Sequence, residues 1–274
     1  MPVSALALAL GAAVLHALWN LGLASARDTE AATAVALVVA VVLFAPVAAL
    51  TANVRADAWP YIAASAALEL VYFSLLAAAY RRAELSVVYP LSRGLAPVLV
   101  LVIGVAALSA SLSAEQVAGV VLVSAGVMLV RDLRRLGDPR DLAFSVAIAA
   151  AIAGYTLVDN EGLRYADPIA YLELVLAVPA FAYVAVIARS RGATAMRAIA
   201  GPRTAGIAVG MFGAYALALA ALELASAASV AAVRESSIVI ATALAGVALK
   251  ETVSRRRMAG AVLVVAGIAL LAAG

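Results

Sequence analysis

Long apolar runs separated by short polar segments recur from one end of this chain to the other. Of the 274 residues, 66% are hydrophobic and only 13% are charged. A soluble domain needs far less apolar surface than this, so the chain must have the lipid bilayer as its solvent. Because one membrane-crossing helix takes about 20 apolar residues, the length allows ten such helices joined by short loops.

The residue inventory narrows the chemistry further. Cysteine is absent, which excludes disulfides, thiolate metal ligands and a cysteine nucleophile. His16 is the one histidine, which argues against a histidine-based metal site. There is no nucleotide-binding loop and no nucleophile paired with a base, and the net charge of +3 comes from loop arginines. We therefore expect no enzyme activity, no cofactor, no metal and no nucleic-acid partner.

The apolar runs predict ten membrane-spanning helices, numbered here as spans 1 to 10. They cover residues 3–25, 31–50, 59–80, 84–108, 114–130, 142–163, 168–188, 204–225, 227–250 and 257–273. A polar segment, RDLRRLGDPRD at 131–141, divides the chain near its midpoint. The predicted units are a five-helix unit at 1–133, a linker at 134–141 and a second five-helix unit at 142–274.

The two halves repeat each other. A shift of 141 residues places QVAGVVLVSAG (116–126) on RMAGAVLVVAG (257–267) and carries Arg93 onto Arg234. A shift of 140 places HALWNLGL on TLVDNEGL and matches Asn20 to Asn160. Because five is odd, the second half must enter the membrane from the opposite side. We expect an all-α integral membrane fold with ten transmembrane helices in two inverted five-helix repeats, and a site near the midplane on interrupted helices, here spans 4 and 9.

Two arginines, Arg93 and Arg234, lie inside the apolar runs. A cation at this depth costs at least ~2.5–3.5 kcal/mol, so it needs a partner or a water-filled cavity. Pro90 and Pro97 flank Arg93 and weaken the helix backbone, which membrane proteins tolerate beside cavities. We interpret Arg93 as marking a substrate pathway; the alternative is an arginine that snorkels to an interface or sits in a structural ion pair.

Other polar residues are candidates to join the arginines. Glu69 lies mid-span and shares a helix face with Tyr72; its expected partner is Arg93, either at a site for a proton or a substrate ammonium or in a structural pair. On span 9, Arg234 and Glu235 are adjacent and so reach different neighbours. Ser237 lies nearer the Arg234 face, although serines also serve close helix packing. The remaining candidates are His16, Trp19 and Asn20, on one face of span 1, and the deep tyrosines Tyr89, Tyr155 and Tyr215.

Several polar residues near helix ends are expected at the membrane interface instead. Asp159 lies near the end of span 6, which favours an interfacial role. Tyr171, Tyr183 and Trp59 lie where an interfacial aromatic belt is expected.

Loop charge predicts the orientation. The five loops on one side carry fifteen arginines and lysines, whereas the opposite side carries Arg55 and Arg164. Since basic loops stay in the cytoplasm, we expect these five loops, called the basic face below, to be cytoplasmic and both termini to be outside.

The motifs resemble the drug/metabolite transporter superfamily, EamA-type. The resemblance covers nearly the whole chain and rests on HALWN, YPLSRG, YTLVDNEGLR, VRESSIV and LKETVSRRRMAGAVLVVAGIALL. The last segment is similar to the family's glutamate-then-glycine repeat ending, here Glu251 and Gly260, whereas the first half has Ala110 where that glutamate would stand. The resemblance implies secondary, often proton-linked transport without ATP. It also implies that both termini are cytoplasmic. The loop charges predict the opposite, and we follow the loop charges.

The leading hypothesis is a secondary transporter of a small polar metabolite, such as an amino acid or another carboxylate- or phosphonate-bearing solute, in a bacterial inner membrane. Arg93 and Arg234 would hold the anionic group, and Glu69 or Glu235 would take a proton or an ammonium. The expected partners are this small molecule, the lipid bilayer and protons, with a homodimer left open. The alternatives are an exporter of hydrophobic cations, a flippase for lipid-linked substrates and a membrane scaffold without transport activity.

Overall fold

The computed structural model describes residues 1–83, 85–108, 112–130, 138–249 and 254–274. The helices are α1 (Val3–Ala24), α2 (Thr29–Leu50), α3 (Trp59–Arg82), α4 (Leu85–Leu108), α5 (Ala114–Val130), α6 (Pro139–Gly162), α7 (Pro168–Arg191), α8 (Ala193–Ile199), α9 (Pro202–Leu222), α10 (Ala227–Arg234), α11 (Ser236–Leu249) and α12 (Arg255–Ala273). Nine candidate membrane spans and one shorter apolar helix, α5, lie in these ranges. The expected all-α membrane fold with ten spans is confirmed.

The helix bounds agree with the predicted spans to within three residues. The exceptions are α8, a short helix that the sequence pattern did not predict, and span 9, which is divided into α10 and α11. Glu84, Ala110, Lys250, Glu251 and residues 131–137, which include the first half of the predicted linker, lie outside the described residues.

Local chemistry explains where several helices begin. Asp28 and Asp138 precede α2 and α6, and their carboxylates accept the backbone N–H groups of Ala31 at 3.0 Å and Arg140 at 2.8 Å. These bonds satisfy donors that have no partner within the helix. Proline occupies the first turn of α3, α6, α7 and α9, where its missing N–H costs nothing.

The helices of the two halves pack with a pseudo-two-fold pattern. Helix α1 of the first half packs on α9 of the second half. In the repeat, α6 corresponds to α1 and α3 corresponds to α9, and α6 and α3 also pack on each other. Likewise α4 packs on α6, as α10 and α11 pack on α1. The helices α2 and α7 correspond and pack on each other, as do α5 and α12. Every one of these contacts joins the two halves, so any cavity at the centre is lined by both.

Close contact between α5 and α12 depends on four glycines. A Cβ on Gly126 would lie 2.6 Å from the carbonyl oxygen of Gly260, and a Cβ on Gly260 would lie 2.6 Å from that of Gly126. Gly119 and Gly267 form the same reciprocal contact at 2.8 and 2.7 Å. The backbones touch because neither side has a side chain there, as at small-residue interfaces between membrane helices.

The interrupted helix is span 9, which has no proline. Glu235 separates α10 from α11, and the bonds from Glu235 N to Ala232 O and from Ile238 N to Glu235 O span three residues instead of four. The helix α4 is continuous through Pro90 and Pro97. The expectation that both helices are interrupted is therefore wrong for α4. Proline removes a single donor from a helix, and the turns on either side of it retain theirs.

Candidate functional site

A cavity of about 110 Å³ lies at the centre of the bundle, between the two halves. Its walls come from α1, α2, α3, α4, α6, α7, α9 and α10. Ten of the predicted site residues line it: His16, Trp19, Asn20, Glu69, Tyr72, Tyr89, Arg93, Tyr155, Tyr215 and Arg234. The two arginines lie about 10–12 Å along their helices from opposite ends of the bundle, given 1.5 Å per residue. The cavity is therefore near mid-depth.

Arg93 is paired with Glu235 and His16. Its Nη1 donates to Glu235 Oε1 at 3.2 Å, and the two side chains are only 8% and 5% exposed. Arg93 Nη2 lies 2.9 Å from Nε2 of His16. Because a guanidinium can only donate, this imidazole nitrogen must accept, which assigns a neutral His16. The expected partner, Glu69, is wrong for this ion pair, which Arg93 makes with Glu235 at the break in span 9.

Glu235 is therefore an ion-pair partner behind the cavity wall. Its second oxygen, Oε2, finds no hydrogen-bond partner among the described residues. The pair joins α4 of the first half to the break in the second half, so relative motion of the halves must stretch or break it.

Arg234 differs from Arg93 in its surroundings. It is half-buried and lines the cavity. Its guanidinium carbon lies 5.7 Å from the ring centroid of Tyr215, within the range of a cation–π contact. Among the described residues it has no hydrogen bond and no ion pair. It is a cation facing a cavity with its donors available.

Asp159 is buried, so the expected interfacial role is wrong. It is 1% exposed and accepts three hydroxyl hydrogen bonds. Ser65 and Tyr171 donate to Oδ1 at 2.5 and 3.1 Å, and Tyr215 donates to Oδ2 at 2.7 Å. Tyr171, which is 0% exposed, was likewise expected at the interface. Neighbouring helices cover Asp159, because α3 packs along α6 and the donors come from α3, α7 and α9.

A row of tyrosines forms one wall of the cavity. The rings of Tyr72 and Tyr155 are 6.2 Å apart between centroids, and those of Tyr155 and Tyr215 are 6.0 Å apart. On the other side, the indole of Trp19 packs edge-on against His16 at 4.8 Å. Trp19 Nε1 is buried without a hydrogen-bond partner in the described part of the chain. The cavity therefore has an aromatic wall, and the buried N–H of Trp19 beside it lacks an acceptor among the described residues.

A second cavity of about 340 Å³ leads away from the first one. Both are lined by His16, Asn20 and Tyr89, and the second reaches Ala24 and Arg257, at helix ends on the basic face. Ser237 lines this second cavity and not the central one. The central cavity is thus connected towards the basic face, whereas Asp159 and its hydroxyl partners lie on the other side of it.

Sequence reasoning missed the cluster of Asp159, Ser65 and Tyr171. The signal was present in the repeat: the 140-residue shift that matches Asn20 to Asn160 also places Asp159 on Trp19. Because Trp19 is a candidate site residue, the repeat predicts that Asp159 is one as well. No sequence pattern indicated Ser65, because a serine in an apolar helix has many neutral explanations.

Comparisons with known proteins agree with this architecture. Residues 3–131 and 142–273 match the EamA-like transporter family, one match in each half. A solved protein crystal structure superposes with a TM-score of 0.73 at 16% sequence identity, covering 98% of this chain and 96% of that one. Such low identity establishes the fold alone. No curated protein matches the chain.

Proposed function

Because the chain belongs to the EamA-like transporter family, we propose that it is a secondary active transporter for a small anionic or zwitterionic metabolite. Alternating access moves the solute as the two repeats, proposed as residues 1–133 and 142–274 with a linker at 134–141, rock against each other. The ion pair between Arg93 and Glu235 opens and closes during this motion. Both arginines serve the anion: Arg234 binds it first, and Arg93 joins when its pair with Glu235 opens.

The free cation in the cavity carries this proposal. Arg234 lines the cavity and is unpaired among the described residues, while Trp19 Nε1 offers a second unpaired donor. Donors without acceptors in a buried site are costly, and a carboxylate, phosphonate or similar group supplies acceptors for both. The aromatic wall of Tyr72, Tyr155 and Tyr215 suits the apolar body of such a solute.

Replacement of Arg234 tests the proposal. Purified protein is screened by thermal shift against small carboxylates, amino acids and phosphonates, and the ligands found are then assayed for uptake into proteoliposomes. We expect Arg234→Ala to lose binding and transport by at least about tenfold, since a charge-assisted hydrogen bond contributes about 1.5–3 kcal/mol. Arg197→Ala, an exposed arginine on α8, is the control and should behave as wild type. Wild-type transport by Arg234→Ala would refute an arginine-centred site.

The orientation follows from charge. Fifteen of the 19 basic residues lie in loops on the basic face, which supports a cytoplasmic basic face in a bacterial inner membrane. Met1 N donates to Leu271 O at 2.7 Å, so both termini share the opposite face. In intact cells, an impermeant thiol reagent should label Ser4→Cys and spare Ser190→Cys. The reverse pattern would place the termini inside.

The alternative of a cationic-drug exporter draws on one observation, the presence of Glu69 in the aromatic-lined cavity. Two arginines facing that cavity oppose it, because they repel a cation. A resistance panel with hydrophobic cations separates the two functions. Resistance that depends on Glu69 and survives Arg234→Ala would favour the exporter.

A flippase predicts transfer of a lipid-linked substrate between leaflets, which a fluorescent-lipid assay in the same liposomes measures.

A further inference from the structure

We propose that Glu69 is the proton-binding site of this transporter, that it is protonated together with anion binding at Arg234, and that the nearby charge of Asp159 favours this protonation. This inference rests on the proposed function, because the anion is the transported solute. It goes further by naming the residue that binds the proton and by fixing the sign of the coupling: proton and anion bind together.

The first step is the state of Asp159. Its two oxygens accept hydrogen bonds from three hydroxyl groups, on Ser65, Tyr171 and Tyr215. An ionised carboxylate is a pure acceptor, and three donors around it satisfy it without a counter-cation. Asp159 is therefore a fixed negative charge on the side of the cavity away from the basic face.

The second step is the hydrogen-bonding capacity of Tyr215. A phenol has a single hydrogen to donate, and that of Tyr215 goes to Asp159 at 2.7 Å. That hydrogen is therefore not available to Glu69. Ser65, four residues before Glu69 on α3, also donates to Asp159, so Asp159 lies beside the helix face that carries Glu69. Glu69 is 3% exposed and makes no ion pair among the described residues, so its ionised form is a buried charge without a paired cation, and protonation removes that cost.

The third step is the set of charges around Glu69, which is 3% exposed on α3. Helix α7 also packs on α3 and contributes Tyr171, which contacts Asp159. The other charged or titratable groups around Glu69 come from six helices. They are Asp159 and Tyr155 on α6, Tyr215 on α9, Arg234 on α10, Arg93 on α4, Tyr72 on its own helix and His16 across the cavity on α1.

These charges cancel in pairs. The charge of Arg93 is compensated by Glu235, with which it is paired at 3.2 Å. The charges of Arg234 and Asp159 are opposite and sum to zero, although no ion pair joins these two residues. An ionised Glu69 then makes the empty cavity net negative, and an arriving anion is repelled at low dielectric. Protonation of Glu69 removes that repulsion, so each ligand strengthens binding of the other by the same factor.

This arrangement has a consequence for the transport cycle. The cavity carries the same net charge when it holds one anion and one proton as when it holds neither. Both forms can therefore undergo the same rocking motion without an added electrostatic barrier. The half-loaded form, with an anion and an ionised Glu69, carries one further negative charge and is disfavoured.

The test uses the full-length protein in lipid nanodiscs, with lactate and L-alanine as probes. The two probes share a carboxylate and differ in the presence of an ammonium group. Infrared difference spectra between acid and alkaline pH detect the carbonyl stretch of a protonated carboxyl without any substrate. We expect Glu69→Gln to remove one such band, whereas Glu173→Gln, a control glutamate on α7 outside the cavity, leaves that band unchanged.

Binding supplies the second readout. In wild type, lactate affinity should fall by up to about tenfold for each unit of rising pH in the range where Glu69 titrates, as one-proton linkage requires. Glu69→Gln should bind lactate with high affinity that varies by less than about twofold over the same range, because the amide mimics the protonated acid. Asp159→Asn should move the pH profile to lower pH, because a nearby negative charge that favours protonation is gone. A purely structural Asp159 would lower stability and leave the profile in place.

The outcomes separate this inference from the function beneath it. An unchanged pH dependence in Glu69→Gln, or a selective loss of L-alanine binding, overturns the proton site; the second result assigns the substrate ammonium to Glu69. If wild type binds neither probe at any pH, the proposed function fails for these solutes, while the infrared band still decides whether Glu69 binds a proton. If Glu69→Gln removes none of the wild-type infrared bands, the inference is refuted even when both probes bind.

Discussion

Arg93 and Glu235 form an ion pair in which both side chains are almost completely buried. Such a pair is only weak evidence of stability, but removal of one partner leaves an uncompensated charge. We expect Arg93→Met to lower the free energy of unfolding by about 3–5 kcal/mol. The measurement is thermal or denaturant unfolding of the protein in detergent micelles.

The double variant Arg93→Met/Glu235→Gln is the informative control. It has no unpaired charge, so it should recover much of the loss that the single variant shows. A single variant as stable as wild type would mean that water or another cation compensates Glu235.

The other residue-level prediction concerns pH and lies outside the membrane. The backbone N–H of Ala31 lowers the pKa of the Asp28 carboxyl from its ordinary 3.8, and the Arg191 guanidinium adds to the effect. A lowered pKa means that the ionised group stabilises the fold above the ordinary value, and that this contribution disappears as the pH falls through the lowered one. Arg191 Nε contacts Asp28 at 2.6 Å and Arg191 Nη2 contacts Glu30 at 3.1 Å.

Asp28→Asn keeps an acceptor for the helix start and loses the charge. We expect it to melt below wild type at pH 7, by the equivalent of about 1 kcal/mol or less for so exposed a pair. The difference should shrink towards zero below about pH 4. Asp57→Asn is the matched control, because the Arg55–Asp57 pair joins near neighbours on one loop. A pH-independent difference would point to the cap and not the charge.

At this scale the sequence predicted the polar residues better than their pairing. Their position deep in apolar runs identified Arg93, Arg234 and Glu69, because a charge inside the membrane is costly and so indicates a functional site. It did not identify which carboxylate would reach Arg93, because that depends on a helix break at Glu235 for which the sequence shows no proline. Asp159 was missed because distance from a helix end does not report which neighbours cover it.

At the scale of elements, the contact between α5 and α12 has a direct test. A Cβ on Gly126 would lie 2.6 Å from the carbonyl oxygen of Gly260, so the helices must separate to admit it. We expect Gly126→Ala to destabilise the protein by about 1–3 kcal/mol, as overpacking does, measured by thermal unfolding in detergent.

Gly206→Ala provides the matched control for that substitution. Gly206 lies within α9, and a Cβ there meets nothing within 4 Å. Since alanine is the better helix former by about 1 kcal/mol, this variant should be as stable as wild type or slightly more so. Equal stability of Gly126→Ala and Gly206→Ala would contradict the close contact.

The sequence predicted the membrane spans correctly, because hydrophobicity determines them. It did not predict which helix is broken, because backbone geometry determines that. Apolar length gave the spans and the odd number per half gave their inversion. The glycines of α5 and α12 were visible as the repeated motif, but their partners became clear only from packing. Prolines misled for α4, because a continuous helix tolerates them when its remaining hydrogen bonds are kept.

At the scale of the whole molecule, the central cavity is connected towards the basic face. We expect an impermeant thiol reagent to react with Thr242→Cys, in the second cavity, from the basic face of inside-out vesicles. The chain has no native cysteine, so the background is zero. Ala153→Cys, at a position that is 0% exposed on α6, should stay unlabelled. Equal labelling of both would show that the interior is generally open.

A chain whose halves are related by an axis in the membrane plane has, to a first approximation, no inherent direction. Here the second half is broken at Glu235, while the first is continuous through the equivalent Gly94. Suppose that α4 becomes broken and span 9 becomes continuous. The molecule then opens to the opposite side, and the break falls in α4, where Pro90 and Pro97 already weaken the helix.

The side of the membrane to which the cavity of the empty protein is open then depends on the residues that differ between the two halves. Pro97→Ala should prolong the time spent open to the basic face and increase labelling of Thr242→Cys. Unchanged labelling would assign that bias to other asymmetric residues. The direction in which such a molecule rests open would then depend on the residues that differ between its two halves, and not on the fold that the halves share.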